Sequence, residues 1–88
     1  MFDMMNMMGK IKEAQEKMKK IKEELDKIEL NSESGAGLVS VKINGKKEIL
    51  SIKIDESIIN EKEMLQDLIV AATNKALKEI DIKIKEHM

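Results

Sequence analysis

The stretch that decides the fold is SGAGLVSVKINGKKEILSIKID, residues 34–55. Two runs of alternating apolar and polar residues flank Asn44-Gly45, a dipeptide typical of tight hairpin turns. The segment therefore predicts an antiparallel β-hairpin over residues 36–55. The alternation leaves apolar side chains on both faces of this hairpin: Leu38 opposes Val39, Val41 and Ile43, and Ile49 opposes Leu50, Ile52 and Ile54. A single helix covers only one face, so the second face needs another cover.

The chain is too small to bury a large core, because 88 residues bury only about 60% of the surface that the unfolded chain exposes. It has no cysteine, which excludes disulfides and thiolate chemistry, and His87 is its one histidine, so no structural metal is expected. Oligomerisation is the remaining way to stabilise such a fold. We therefore expect self-association to involve the hairpin.

A heptad pattern precedes the hairpin. Its apolar residues are separated alternately by three and four positions, and they are Met4, Met7, Ile11, Ala14, Met18, Ile21, Leu25 and Ile28. This spacing predicts one long helix over residues 1–30, ended by the turn-forming residues 31–35. A parallel homodimeric coiled coil would place Lys17 beside Lys22, and Glu24 beside Glu29. We expect the seam to meet another helix of the fold, an antiparallel partner, or the sheet.

A second helical stripe follows the hairpin, formed by Leu65, Leu68, Ile69, Ala72, Ala76 and Ile80. It predicts a helix over residues 60–85, with Asn60 and Glu63 as a capping box. The predicted fold class is α+β, in one domain over residues 1–88. It has a long N-terminal helix, an antiparallel hairpin or small three-stranded sheet, and a C-terminal helix.

Most function classes find no support in the residues. A nucleophile with its base and orienting group is missing, and the glycines match neither a dinucleotide fingerprint nor a phosphate loop. We therefore expect no enzyme activity, cofactor, metal or small-molecule substrate. No apolar run is long enough to span a bilayer and the Met-rich start lacks the features of a signal peptide, so we expect a cytoplasmic protein without a membrane partner.

The charges of the first predicted helix are segregated. Residues 10–22 contain six lysines against Glu13 and Glu16, whereas residues 23–29 contain four acidic residues against Lys27. This order is opposite to the one that favours the helix dipole, and it indicates either a contact with a polyanion or a mixed solvent-exposed face. All 16 basic residues are lysines and Phe2 is the one aromatic residue. Because lysine is a point charge for phosphates and guanine recognition favours arginine, a nucleic-acid ligand would be a duplex, bound through its backbone with low sequence specificity.

The chain resembles the YbaB/EbfC family of small nucleoid-associated DNA-binding proteins. The resemblance lies in ESGAGLV at residues 33–39, Asn44-Gly45, IKID at residues 52–55, KEMLQDLIVAATNKA at residues 62–76, and a Met-rich start leading to AQEKM at residues 14–18. It implies an intertwined homodimer located in the nucleoid, in which the partner covers the second hairpin face and the first helices project like tweezers.

The resemblance also implies the residues that would serve each role. DNA contacts would come from the first helix and the C-terminal helix, through Lys10, Lys12, Lys17, Lys19, Lys20, Lys22, Lys78, Lys83 and Lys85. The dimer interface would include Leu38, Val39, Val41, Ile52, Ile54, Ile69 and Ala72. The alternative is a helix–hairpin–helix chaperone or protein-interaction module resembling prefoldin, for which the Met-rich start would suit client binding.

Overall fold

The computed structural model describes residues 4–87, with side chains from Gly9 onward. Helix α1 spans Met4–Asp26 and is followed by strands β1 (Glu29–Ser34), β2 (Val39–Asn44) and β3 (Ile49–Ile54). A short 3-10 turn over Glu56–Ile58 leads into helix α2, Lys62–Glu86. The predicted α+β class is confirmed, with the three-stranded form of the sheet. The side chains of Met4 and Met7, which begin the predicted heptad seam, lie outside the described residues.

The sheet is antiparallel in the order β1–β2–β3, and α2 packs mainly across β1 and β2. The core between sheet and helix consists of the buried residues Val39, Val41, Ile43, Ile58, Ala72, Ala76 and Ile80. The small side chains of Ala72 and Ala76 bring the helix backbone close to β2. One chain therefore builds a dry core by itself, although it is a small one.

The first helix ends four residues earlier than the predicted limit of residue 30, and the segment expected to be a turn is strand β1. Three inward-facing positions of β1 explain the difference: Leu30 lies opposite Ile43, Ser32 opposite Val41, and Ser34 opposite Val39. The two serines find partners on α2, since the Ser32 hydroxyl donates to Glu79 at 2.9 Å and the Ser34 hydroxyl to the Leu68 carbonyl at 2.6 Å. Pairing with β2 and α2 thus overrides the local turn preference of this segment.

The expectation of a hairpin with two apolar faces is wrong. The register of β2 and β3 shifts between Lys42 and Ile43, and this β-bulge brings Ile49 opposite Ile43, on the same face as Ile52 and Ile54. The other face of the sheet is polar, and Asn31, Glu33, Ser40, Lys42, Ser51 and Lys53 line a shallow depression there. Ile49, Ile52 and Ile54 therefore share the face toward α2, while Leu50, at the bulge, is 46% exposed.

The predicted capping box at Asn60 is also not formed. Helix α2 begins at Lys62 with Glu61 as its N-cap, and no side chain accepts a hydrogen bond there. Asp55 caps the preceding 3-10 turn instead, accepting a hydrogen bond from the Ser57 amide at 2.9 Å. The C-terminal residues, whose alternation also fits a strand, continue α2 to Glu86.

Candidate nucleic-acid and self-association surfaces

Helix α1 extends away from the sheet as an arm. The described molecule measures 73 × 16 × 16 Å, and every α1 side chain from Gly9 to Glu24 is exposed. The apolar stripe of α1 comes close to the rest of its own chain at the base of the arm, where His87 at the end of α2 lines a depression with Met18, Ile21 and Leu25. The arm is therefore available for contacts with other molecules.

All six predicted DNA-binding lysines of the arm, Lys10 to Lys22, have exposed side chains. None of them forms an ion pair with a described residue; the ion pairs of the described chain involve Lys42, Lys47, Lys75 and Lys85. By helical spacing, Lys12 and Lys19 share one flank of α1 and Lys10 and Lys17 share the other. Each pair is separated by seven residues, about 10.5 Å along the axis.

The base of the arm contains a lysine that the sequence did not single out as a site residue. Lys46 lines the same surface depression as Lys22, next to Leu25, Asp26 and Gly45. Lys46 is positioned by the hairpin turn, where the Asn44 side chain accepts hydrogen bonds from the amides of Lys46 at 2.9 Å and Glu48 at 3.0 Å. The sequence signal for this site was the pair of lysines that comes directly after Asn44-Gly45. These lysines have the same charge as the basic half of α1, although they are distant from it in the sequence.

The three lysines expected to bind DNA from α2 do not form one surface. Lys78 and Lys85 are exposed, while Lys83 is half-buried. Lys85 also forms an ion pair with Asp81 at 3.1 Å, and Lys47 reaches the same carboxylate at 3.4 Å. Hydrogen bonds from Lys85 and then Lys47 hold the pKa of Asp81 below its ordinary value. The arm is thus a more uniform basic surface than the end of α2.

The residues expected at the dimer interface divide into three groups by burial. Val39 and Val41 of β2 and Ala72 of α2 are fully buried within a single chain. Packing between the sheet and α2 of the same chain therefore explains their burial. Leu38 and Ile69 are half-buried and pack against this core. Ile52 and Ile54 are exposed, at 42% and 37%.

An apolar surface remains open beside β3. Strand β3 is at the edge of the sheet and all six of its residues are exposed. Its side chains Ile49, Ile52 and Ile54 face the layer of α2, where Val70 and Leu77 are also exposed. Leu68 and Glu79 mark the β1 side of α2, and helical spacing puts Val70 and Leu77 on the opposite flank. These five residues, Ile49, Ile52, Ile54, Val70 and Leu77, are called the β3 surface below.

Other site chemistry is sparse in the described residues. Across residues 4–87, the acidic and histidine side chains do not form a group of three that could hold a metal ion. A hydrogen bond from Ser57 lowers the pKa of Asp55, which serves the 3-10 turn. Neither described helix has a stretch apolar enough to cross a membrane. The geometry leaves two surfaces for function, a basic arm and the β3 surface.

Comparison with known proteins identifies the family. The model of the YbaB/EbfC DNA-binding family matches residues 1–88. The chain belongs to the YbaB/EbfC DNA-binding family. This family is defined by DNA binding rather than by an enzymatic activity, and the resemblance found in the sequence is thereby confirmed.

YbaB/EbfC relatives and a solved structure agree with this assignment. A nucleoid-associated protein of Francisella philomiragia is 47% identical over 81 residues, which cover 91% of this chain and 73% of the relative. Another nucleoid-associated protein, from Agrobacterium fabrum, is 44% identical over 90 residues, which cover 100% of this chain and 84% of the relative. The crystal structure of an uncharacterized protein from Helicobacter pylori is similar with a TM-score of 0.82 at 27% identity, covering 98% and 92% of the two chains.

Proposed function

We propose that this protein is a homodimer that associates with the nucleoid in the cytoplasm and binds duplex DNA with low sequence specificity. The arms of both protomers would contact phosphates through Lys10, Lys12, Lys17, Lys19, Lys20 and Lys22. The observation that carries the proposal is the set of exposed arm lysines without ion pairs. The nucleoid location follows the names of the relatives.

The order of charges along α1 supports a ligand-binding role for these lysines. The first turn contains no acidic residue and the last turn no basic residue, so the helix dipole is not compensated at either end. Helix stability therefore does not explain why the lysines are placed in the N-terminal part. A polyanion that lies along the arm does explain it, because each lysine would displace a counterion from DNA.

Low specificity follows from the chemistry of the arm. Its cations are all lysines, which attract phosphates without the two-pronged hydrogen bonding by which arginine distinguishes guanine. The described arm has no aromatic side chain to stack on an unpaired base, so it suits a duplex better than a single strand. Lys78, Lys83 and Lys85 would be secondary contacts, since one is half-buried and one is paired with Asp81.

Gel-shift titrations of unrelated duplexes over a range of salt test this function. We expect similar affinities for all sequences, and an exponent of salt dependence that falls by about 0.9 for every lysine–phosphate pair that a substitution removes. The variant Lys12→Gln, Lys19→Gln, Lys20→Gln should weaken binding and flatten the salt dependence. The matched control is Lys42→Gln, Lys53→Gln, Lys75→Gln, which removes the same number of positive charges from the sheet and α2. It should bind DNA nearly as well as the wild type.

Equal reductions of affinity in the two triple variants would place the DNA-binding surface elsewhere than on the arm. Absence of any shift by the wild-type chain at low salt would contradict DNA binding itself. A chain that fails to shift DNA but suppresses the aggregation of client proteins would support the prefoldin-like alternative.

The β3 surface supports the homodimer. Ile49, Ile52, Ile54, Val70 and Leu77 expose between 37% and 59% of their surface in one chain, next to an edge strand with unpaired backbone groups. Of the residues expected at the interface, Ile52 and Ile54 belong to this surface, while Leu38 and Ile69 pack against the core. A second copy that pairs there would bury both the edge and the apolar side chains.

Light scattering on two matched variants tests the dimer. Ile52→Asp should give a folded monomer, because Ile52 is 42% exposed in the single chain while the core behind it stays intact. Ile82→Asp changes an isoleucine that is 53% exposed on the other flank of α2, and should remain dimeric. If Ile52→Asp stays dimeric, the interface does not include β3.

A further inference from the structure

Phosphate binding does not explain the apolar side of the arm. Ile11, Met18 and Ile21 are 56%, 70% and 44% exposed, and Ala14 completes an unbroken seam that reaches Leu25. These five residues are called the arm seam. Lysines flank the seam on both sides. The arm could therefore bind a duplex equally well if the seam positions were polar. The seam has the three- and four-residue spacing of a helix that pairs with another helix.

We propose that the arm seam joins two dimers of this protein, by antiparallel pairing of α1 of one dimer with α1 of another. The inference rests on the proposed function for the existence of the dimer and for the role of the arm lysines. It adds a second interface, of different composition and position from the β3 surface, and a way for the protein to connect separate DNA segments.

Charge complementarity selects the antiparallel orientation. The seam can be aligned so that Met18 packs against Ile21, and Ala14 against Leu25, of the other helix. Lys17 of each helix then lies beside Glu24 of its partner, and Lys22 beside the neutral Gln15. A parallel alignment would instead place Lys17 beside Lys22 of the other helix, and these like charges repel. The basic N-terminal part of one α1 helix therefore meets the acidic C-terminal part of the other only when the two helices are antiparallel.

Geometry requires that the two arms come from different dimers. In an antiparallel pair, the bodies attached to the C-terminal ends of α1 lie at opposite ends of the paired helices. The overlap from Ala14 to Leu25 spans about 18 Å, which would separate the two points where the bodies are attached. Protomers joined through the β3 surface have their bodies in contact, so their own two arms cannot pair in this way.

Arm pairing leaves cations free for DNA. Helical spacing puts Lys12, Lys19 and Lys20 outside the seam, on the flank and back of the arm. A paired set of arms would present these three of the six arm lysines on its outer surface, and each dimer would keep that part of its DNA contacts. The overlap is short, from Ala14 to Leu25, so we expect weak association in free solution that strengthens when DNA brings dimers together.

Disulfide trapping tests the pairing, because the chain has no cysteine of its own. Single variants Met18→Cys and Ile21→Cys are mixed and mildly oxidised without DNA, and the products are separated by intact mass. We expect the mixed disulfide to exceed either symmetric one roughly tenfold, the factor that about 1.4 kcal/mol of preference produces. The matched control pair, Lys19→Cys with Lys20→Cys, lies outside the seam and should give far less product.

Predominance of the Met18→Cys symmetric disulfide would mean parallel helices and would overturn the proposal, as would yields no higher than those of the control pair. The native mass of the trapped species shows whether the linked arms belong to different dimers or to the same one. We expect assemblies of four chains or more, and disulfides confined to assemblies of two chains would overturn the inter-dimer arrangement.

A neutral double variant separates this inference from the proposed function. Met18→Gln with Ile21→Gln removes the apolar contacts without adding charge, so it should abolish the assembly of dimers while retaining the gel shift of a short duplex. A variant that keeps both properties would overturn arm pairing. If the wild-type chain forms the mixed disulfide but does not shift duplex DNA, the proposed function fails and arm pairing stands.

Discussion

Gly45 and Ile28 tie the hairpin turn to the base of the arm. The Gly45 amide donates a hydrogen bond to the Ile28 carbonyl at 2.8 Å, and its Cα lies directly against the last turn of α1. A Cβ atom at this position would come within 2.6 Å of the carbonyl carbon of Leu25, and closer still to its oxygen. Gly45 does not adopt a positive φ; Lys47 takes the left-handed conformation in this turn, with a φ of 64°. The glycine is therefore required by the approach of α1 rather than by the turn.

Gly45→Ala should displace the arm. Since the new methyl group meets backbone atoms and cannot be accommodated by rotation of a side chain, we expect the free energy of unfolding to fall by about 1–3 kcal/mol. Duplex affinity should fall as well, because the arm lysines would change direction relative to the body. Urea unfolding and gel-shift titration measure the two effects, and wild-type values in both would mean that the turn does not orient the arm.

Gly9→Ala should have the opposite effect on α1. A Cβ atom at Gly9 meets nothing within 4 Å, and alanine is favoured over glycine inside a helix by about 0.5–1 kcal/mol. The expected result is greater helicity by circular dichroism and slower amide exchange in the arm, with the hairpin unaffected. Faster exchange in the arm would show that Gly9 serves a bend or contact.

Ser32→Ala should destabilise the fold. Ser32 is only 2% exposed and its hydroxyl donates to Glu79 at 2.9 Å, so the change removes a hydrogen bond to a half-buried carboxylate between β1 and α2. We expect a decrease of about 1–2 kcal/mol in the free energy of urea unfolding. Ser51→Ala, on the exposed outer face of β3, is the control and should change little. Equal effects would mean that the hydrogen bond between Ser32 and Glu79 contributes nothing specific.

Asp81→Asn should reduce stability in a pH-dependent way. Hydrogen bonds from Lys85 and Lys47 hold the pKa of Asp81 below its ordinary value of 3.8. A carboxylate whose pKa is lowered by folding stabilises the folded state above its ordinary pKa, and this contribution disappears as the pH falls through the lowered pKa. The melting temperature of the variant should therefore lie slightly below that of wild type at pH 7, and the two should converge in acid.

The control for this prediction is Asp67→Asn, on the same helix and without an ion pair in the described part of the chain. It should show no such convergence. A difference for Asp81→Asn that persists unchanged at low pH would contradict the electrostatic origin.

The local patterns were sufficient for the helices and the hairpin. The seam from Ile11 to Leu25 and the stripe from Leu65 to Ile80 each follow helical spacing, and Asn44-Gly45 marked the hairpin turn between β2 and β3. The same patterns contained the family resemblance, which the family match confirmed. The arm lysines were candidates from the charge order alone, and the structure shows that they are exposed.

The sequence alone thus determined the elements that depend on neighbours within a turn or two, because periodic burial and turn chemistry are local properties. The tertiary structure alone decided which residues face one another across the sheet. It made β1 from a polar segment by giving Ser32 and Ser34 partners on α2, and the bulge beside Ile43 moved Ile49 to the face of Ile52. These outcomes depend on pairing between distant segments, where a shift of one residue exchanges the two faces of a strand.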